Sequence, residues 1–197
     1  MNQWKRGSSI QLKKLFDSEL KSYGGKIDSA ISFFVNVMMG FPFILLAMSL
    51  VAVLGPSLQN IIIALGFTGW PVFTRVSRVE TNKLREREFV LAAVSLGFST
   101  KRILVRHVLP NVMGPVLVLA TIQVAAAILT EATLSFLGVG VPPTSPSLGT
   151  LIRIGNDFLF SGEWWITIFP GAMLVLIALS VNLLGDWLRD ALNPRLR

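Results

Sequence analysis

The sequence predicts an all-α, polytopic membrane bundle of about four transmembrane helices, with a cytoplasmic helix–turn–helix loop between the second and third. Three observations carry that expectation. Of 197 residues, 52% are hydrophobic and 15% charged, with a mean hydropathy of +0.64, a combination that soluble domains of this size rarely reach. Four stretches, 31–54, 56–74, 108–130 and 164–185, carry no charge at all. Each is long enough to cross most or all of a hydrocarbon core about 30 Å thick. The cations are also sorted: six Lys/Arg lie before residue 27, eight between Arg75 and Arg106, three after residue 188, and only Arg153 elsewhere. Lysine and arginine concentrate on the cytoplasmic side of membrane proteins, so both termini and the central loop are expected there.

The elements follow in order. Residues 1–27 form a basic N-terminal segment, in which Leu12, Leu15, Phe16, Leu20 and Tyr23 outline a rough apolar face. A basic amphipathic helix on the inner membrane surface and a loosely ordered tail both fit it. The first span, Ile31–Leu54, contains Gly40 and Pro42, breakers that a membrane helix tolerates where neighbours satisfy the freed backbone groups. After the Gly55-Pro56 turn, Pro56–Thr74 reads as a helix with a bent inner half at Gly66, Gly69 and Pro71. Val108–Thr130 is the third span. Pro142, Pro143 and Pro146 then make an exterior loop, and Leu148–Phe160 a short helix at the outer interface. Trp164 and Trp165 open the last span, as an interfacial aromatic belt does.

The central stretch 88–110, EFVLAAVSLGFSTKRILVRHVLP, has its own pattern. Phe89, Ala92, Ala93 and Leu96 recur at i, i+3, i+4 and i+7, one face of a helix. Gly97 stops that helix, Ser99 is placed to cap a second short one, and Pro110 to end it. A face of alanines lets another surface approach closely.

This stretch resembles the loop of ABC-importer permeases, whose pattern is E-A-A, three residues, G, nine residues, I-x-L-P. Ala92, Ala93, Gly97, Leu109 and Pro110 fall in register; Leu91 stands in place of the Glu and His107 in place of the Ile, with Glu88 three residues ahead. The segments GFPFILLAMSLVAVLGPSLQNIIIALGFTGWP, EATLSFLGVGVPP and NLLGDWLRDALNPRLR are similar to the second type of permease subunit in dipeptide, oligopeptide and nickel importers, a resemblance running from Ser22 to Arg197. It implies a permease domain over 28–197 and a place in the plasma (inner) membrane of a bacterium or archaeon. It also implies the partners: a homologous permease subunit, two ATP-binding-cassette ATPase subunits and an extracytoplasmic substrate-binding protein, all in a lipid bilayer. Glu88, Phe89, Ala92, Ala93, Leu96, Gly97, Leu109 and Pro110 would then dock the ATPase. Members of the family usually have six membrane helices and four are legible here, so two would precede Ser22. A shortened gene product, a fragment and a compact variant all fit.

Other classes find little support. A net charge of +7 and a pI near 10.4 suggest nucleic acid, but the cations are divided among loops instead of forming one basic face, so no nucleic-acid partner is expected. With no cysteine and one histidine there is neither a disulfide framework nor a metal centre, and no cofactor is expected. The N-terminus lacks a signal-peptide pattern. Gly25-Lys26-Ile27 only faintly matches the end of a P-loop, since Leu20 replaces its first glycine and Ile27 its Ser/Thr. Transport without catalysis is therefore expected, with ATP hydrolysed by partners. His107 reads as an ordinary interfacial side chain. Glu131, following a charge-free span, is a candidate for the translocation path, or else a carboxylate at the outer headgroup level. A stand-alone small channel or scaffold without an ATPase, and an inactive truncated permease remnant, are the competing readings.

Overall fold

The computed structural model describes residue 25 and residues 27–192. Among these residues the chain is helical with no strand: α1 (Ile27–Met39), α2 (Phe43–Leu54), α3 (Leu58–Arg85), α4 (Glu88–Ser95), α5 (Thr100–Ile103), α6 (Leu109–Phe136), α7 (Leu148–Phe158) and α8 (Trp165–Leu192). A π turn, Leu104–Val108, joins α5 to α6, and a 3₁₀ turn, Leu159–Ser161, follows α7. The basic N-terminal segment lies almost wholly outside the described residues.

Two helical runs, Thr100–Phe136 and Trp165–Ala191, are long and apolar enough to cross a membrane, and α1 with α2 makes a third if that broken pair is one span. The expected first span is thus interrupted at 40–42. Pro42 lacks an N–H and disfavours helical geometry in the residue before it, so α1 ends and α2 restarts with Pro42 as its N-cap. The second stretch falls short by composition: Gln59, Asn60 and Trp70 dilute its apolar residues. It does not stop at Thr74 either. α3 passes through Pro71 and carries the first basic residues of the central stretch as a helix to Arg85, so Arg75–Arg85 is helical and not loop.

Pro110 does not end a helix, contrary to expectation. Its missing N–H would leave a helical carbonyl without a donor, and its ring would crowd the preceding turn. The chain widens just before it: the Leu109 N–H bonds the Leu104 carbonyl, five residues back, and Asn111 Nδ2 donates to the His107 carbonyl at 2.7 Å. Such widened turns absorb one extra residue without ending the helix.

The chain divides into two compact units. The first comprises the described residues up to 38 together with 74–116. Its core is a small cluster of Val90, Ala93, Ile103, Val108 and Val112, with Leu84, Val94 and Val116 against it. The second comprises 39–73 and 117–192, and its core joins Ala47 and Val51 of α2, Ile61 and Ala64 of α3, Leu134 of α6, and Val141. α7 packs along α8. Gly149 at the start of α7 lies directly on α6: a Cβ there would meet the Ala132 carbonyl oxygen and come within 2.6 Å of its Cα. Small residues that let helix backbones touch replace the hydrophobic driving force that lipid removes. Large apolar side chains remain exposed along α8, among them Phe169, Leu176 and Leu183, as suits a helix facing lipid or a protein partner.

Candidate functional site

The hairpin of the first unit is built from short elements that cannot stand alone. α4 has eight residues, too few for an isolated helix. Glu88 in its first turn complements the helix dipole. At its end the Gly97 N–H bonds Val94 O at 2.9 Å and the Phe98 N–H bonds Ala93 O at 3.2 Å, with Gly97 at φ +75°. This pair of bonds satisfies the last carbonyls and needs a left-handed residue, which glycine adopts without a Cβ penalty. Ser99 takes the N-cap position of α5, but its side chain makes no capping bond.

The expected docking residues do not share one surface. Glu88, Phe89, Ala92, Leu96 and Gly97 are exposed, as are Leu109 and Pro110 at the start of α6. Ala93 is 4% exposed and sits in the core cluster beside Val90. Val90, Ala93 and Val94 form a second stripe at i, i+3 and i+4, and that is the stripe the hairpin buries. The presented face is Phe89–Ala92–Leu96, without Ala93.

Sequence reasoning missed an aromatic stack in the same hairpin. The His107 ring lies parallel to Phe98, 12° apart with centroids at 6.4 Å, and tilted against Phe89 at 6.5 Å. Arg102 places its guanidinium over the Phe98 ring, 4.8 Å from its centroid. Among the described residues His107 Nε2 is enclosed without a hydrogen-bond partner. The stack ties the first turn of α4, the Gly97 turn, α5 and the π turn together. Phe89, Phe98 and His107 recur every nine residues, which places successive members on opposite faces of a helix, and they meet only because the chain reverses at Gly97. Cation–π and aromatic pairs of this kind each contribute about 0.5–1.5 kcal/mol.

Glu131 lies in the second unit, near the end of α6. One carboxylate oxygen accepts the hydroxyls of Ser135 at 2.7 Å and Ser147 at 2.8 Å, and Ser135 Oγ accepts the Val141 N–H at 3.0 Å. Ser135 is buried. Glu131 therefore ties the last turn of α6 to the N-cap of α7 across the intervening loop. A Gln side chain keeps an oxygen there and an Ala does not. Glu131→Gln is expected to leave the thermal stability of the solubilised protein close to wild type. Glu131→Ala, which strands a buried hydroxyl, should lower it by about 1–3 kcal/mol. A thermal melt in which Gln is as damaging as Ala would show that the charge itself matters.

The same unit holds an open cleft of about 1010 Å³ between α2, α3 and α6, lined by Phe43, Ile62, Trp70, Gln123 and Val124 among others. No charged residue lines it. It suits apolar contact and offers no ion pair to a solute. Among the described residues no group of His, Asp or Glu side chains is arranged to hold a metal.

The helices and this geometry define an all-α, multi-pass membrane protein. The chain belongs to the family of binding-protein-dependent transport system inner membrane components, whose pattern matches residues 19–197. It is 42% identical over 175 residues to the dipeptide transport system permease protein DppC of Alkalihalophilus pseudofirmus, covering 89% of this chain and 57% of that protein. It is 40% identical to the DppC of the same description in Bacillus subtilis, over 88% of this chain and 54% of that one. A di/tripeptide transport system permease protein of Pseudomonas aeruginosa is 39% identical, over 83% and 54%. The chain thus spans little more than half the length of these curated relatives.

Proposed function

We propose that the chain is a permease subunit of an ATP-binding-cassette importer, forming half of a translocation pathway for peptides or a related small solute. The observation that carries this reading is the exposed Phe89–Ala92–Leu96 face on a chain of this transport family. A homologous permease would complete the pathway, two ATPase subunits would dock from the cytoplasm and a substrate-binding protein would deliver from outside. In this reading residues 28–197 are the permease domain, with no bond-making residues of its own. Closure of the ATPases draws paired docking loops together, and hydrolysis resets them, the helical bundle having two arrangements that this motion selects between. Glu88, Phe89, Ala92, Leu96, Gly97, Leu109 and Pro110 carry the contact, Ala93 supports it from below, and Glu131 shapes the outer loop. The membrane is the inner membrane of a bacterium or archaeon, with both termini and the hairpin inside, following the sorting of Lys and Arg.

Orientation is tested by single-cysteine labelling, which is clean because the chain has no cysteine. Thr144 is exposed in the loop before α7 and is a better outer reporter than Ser147, which bonds Glu131. A membrane-impermeant maleimide should label Thr144→Cys in whole cells and leave Ser99→Cys unlabelled until lysis. The reverse pattern would put the hairpin on the wrong side for any ATPase. Co-purification with an ATPase subunit tests the class, and its failure would favour the stand-alone channel.

A further inference from the structure

The first unit contains a second feature with no part in docking. α1 and the last part of α3 enclose a cavity of roughly 80 Å³, lined by Arg75, Arg78, Ser32 and Asn36 on a base of Ile31 and Val35. Among the described residues its charges do not balance. Arg78 is paired: its Nη2 donates to the Asp28 carboxylate and to the Asp28 carbonyl. Arg75 has, among the described residues, a single, neutral partner, donating from Nη2 to Asn36 Oδ1 at 3.4 Å, the outer limit of a hydrogen bond. Ser32 directs its proton to the Asp28 carbonyl. Two guanidiniums therefore face one carboxylate among the described residues, and most of the N–H donors of Arg75's fork have no protein acceptor there, beside the Asn36 amide nitrogen.

We propose that this cavity holds the phosphate group of an anionic phospholipid. A guanidinium presents parallel N–H donors that match two phosphate oxygens, which a neutral amide acceptor cannot do. The volume is that of two or three waters, enough for one tetrahedral head and too little for a nucleotide. Arg75 is the first charge after the uncharged stretch 56–74, the kind of position where a chain leaving an apolar layer meets lipid headgroups. Basic pockets between membrane helices at that level bind lipid heads. The flank is suited to a tail: Ile31, Phe33 and Phe34 of α1 are exposed, with the two phenylalanine rings in edge contact at 5.9 Å.

The test uses the full chain in a neutral detergent, titrated with phosphatidylglycerol, phosphatidylcholine or inorganic phosphate and read by native mass spectrometry. Wild type should retain phosphatidylglycerol about tenfold more tightly than phosphatidylcholine, the scale of one charged bidentate contact. Arg75→Gln should erase that preference. Asn36→Asp, which leaves the arginine in place and sets a carboxylate against it, should erase it equally, so a folding defect in one variant is checked by the other. Arg153→Gln, on α7 in the second unit, should leave it intact. If inorganic phosphate displaces the lipid and binds with the same dependence on Arg75, the phosphate site stands and its source is a soluble anion. Equal phosphatidylglycerol retention by wild type, Arg75→Gln and Asn36→Asp overturns the proposal.

Discussion

Ala93→Glu will unfold the hairpin, and Ala92→Glu, one residue away, will leave it folded and remove docking. The first change puts a carboxylate into a cluster of Val90, Ile103, Val108 and Val112 with no cation among them. An unpaired charge in such surroundings costs several kcal/mol, more than an eight-residue helix and its few contacts supply. Limited proteolysis should cut Ala93→Glu between residues 86 and 100 at least tenfold faster than wild type. Ala92 is exposed, so its glutamate remains in water and the proteolytic pattern should not change. In the proposed complex that same glutamate meets the ATPase surface at close range. Each 1.4 kcal/mol lost there is tenfold in affinity, and recovery of the ATPase in a pull-down should fall by at least that factor. Protease resistance in Ala93→Glu would contradict the buried position. Full ATPase recovery with Ala92→Glu would contradict the docking face while leaving the hairpin's structure untouched.

The second large effect is expected at Gly149→Ala. A single added methyl would lie 2.6 Å from Ala132 Cα and 2.8 Å from its carbonyl carbon, with the carbonyl oxygen nearer still. These are backbone atoms of α6 and have no rotamer by which to move away. The first turn of α7 must lift, and Ser147, just ahead of it, is drawn off Glu131. Overpacking of this kind typically costs about 1–3 kcal/mol, and the lost hydroxyl contact adds to it. Gly171→Ala is the control: in α8 an added Cβ has nothing within 4 Å, and alanine is the better helix former. The amount of inserted protein and its melting temperature should drop for Gly149→Ala and hold or rise for Gly171→Ala. Equal behaviour of the two would mean that α7 does not rest on α6 as described.

Much of this was legible before any coordinates. Charge-free stretches located α2, α6 and α8, the Gly97 reversal followed from a glycine after an apolar-periodic turn, and α7 fell where a short interfacial helix was expected. The failures share a cause. Proline is expected to be tolerated within the span at Pro42, to bend a helix at Pro71 and to end one at Pro110; the helix instead breaks at Pro42 and runs on through Pro71 and Pro110, because its fate at proline depends on whether the neighbouring turn can widen and find another donor. The two stripes of α4 are equally periodic, and only packing against Ile103 and Val108 decides that Val90 and Ala93 face inward. The nine-residue spacing of Phe98 and His107 puts them on opposite faces of a helix, so their stacking could come only from the folded turn.

The widened turn at Leu104–Val108 also makes the hairpin depend on a count as well as a composition. It holds one residue more than a regular helix would, and each residue of an α-helix advances the chain by about 100° around its axis. Deleting any one of the five would restore a regular ladder up to Leu109. It would also rotate α5, and whatever α5 carries, by about a quarter turn against Val112 and Val116. Within this segment an alignment gap is a change of phase. A homologous loop one residue shorter would turn a different side outward even if every exposed residue were the same.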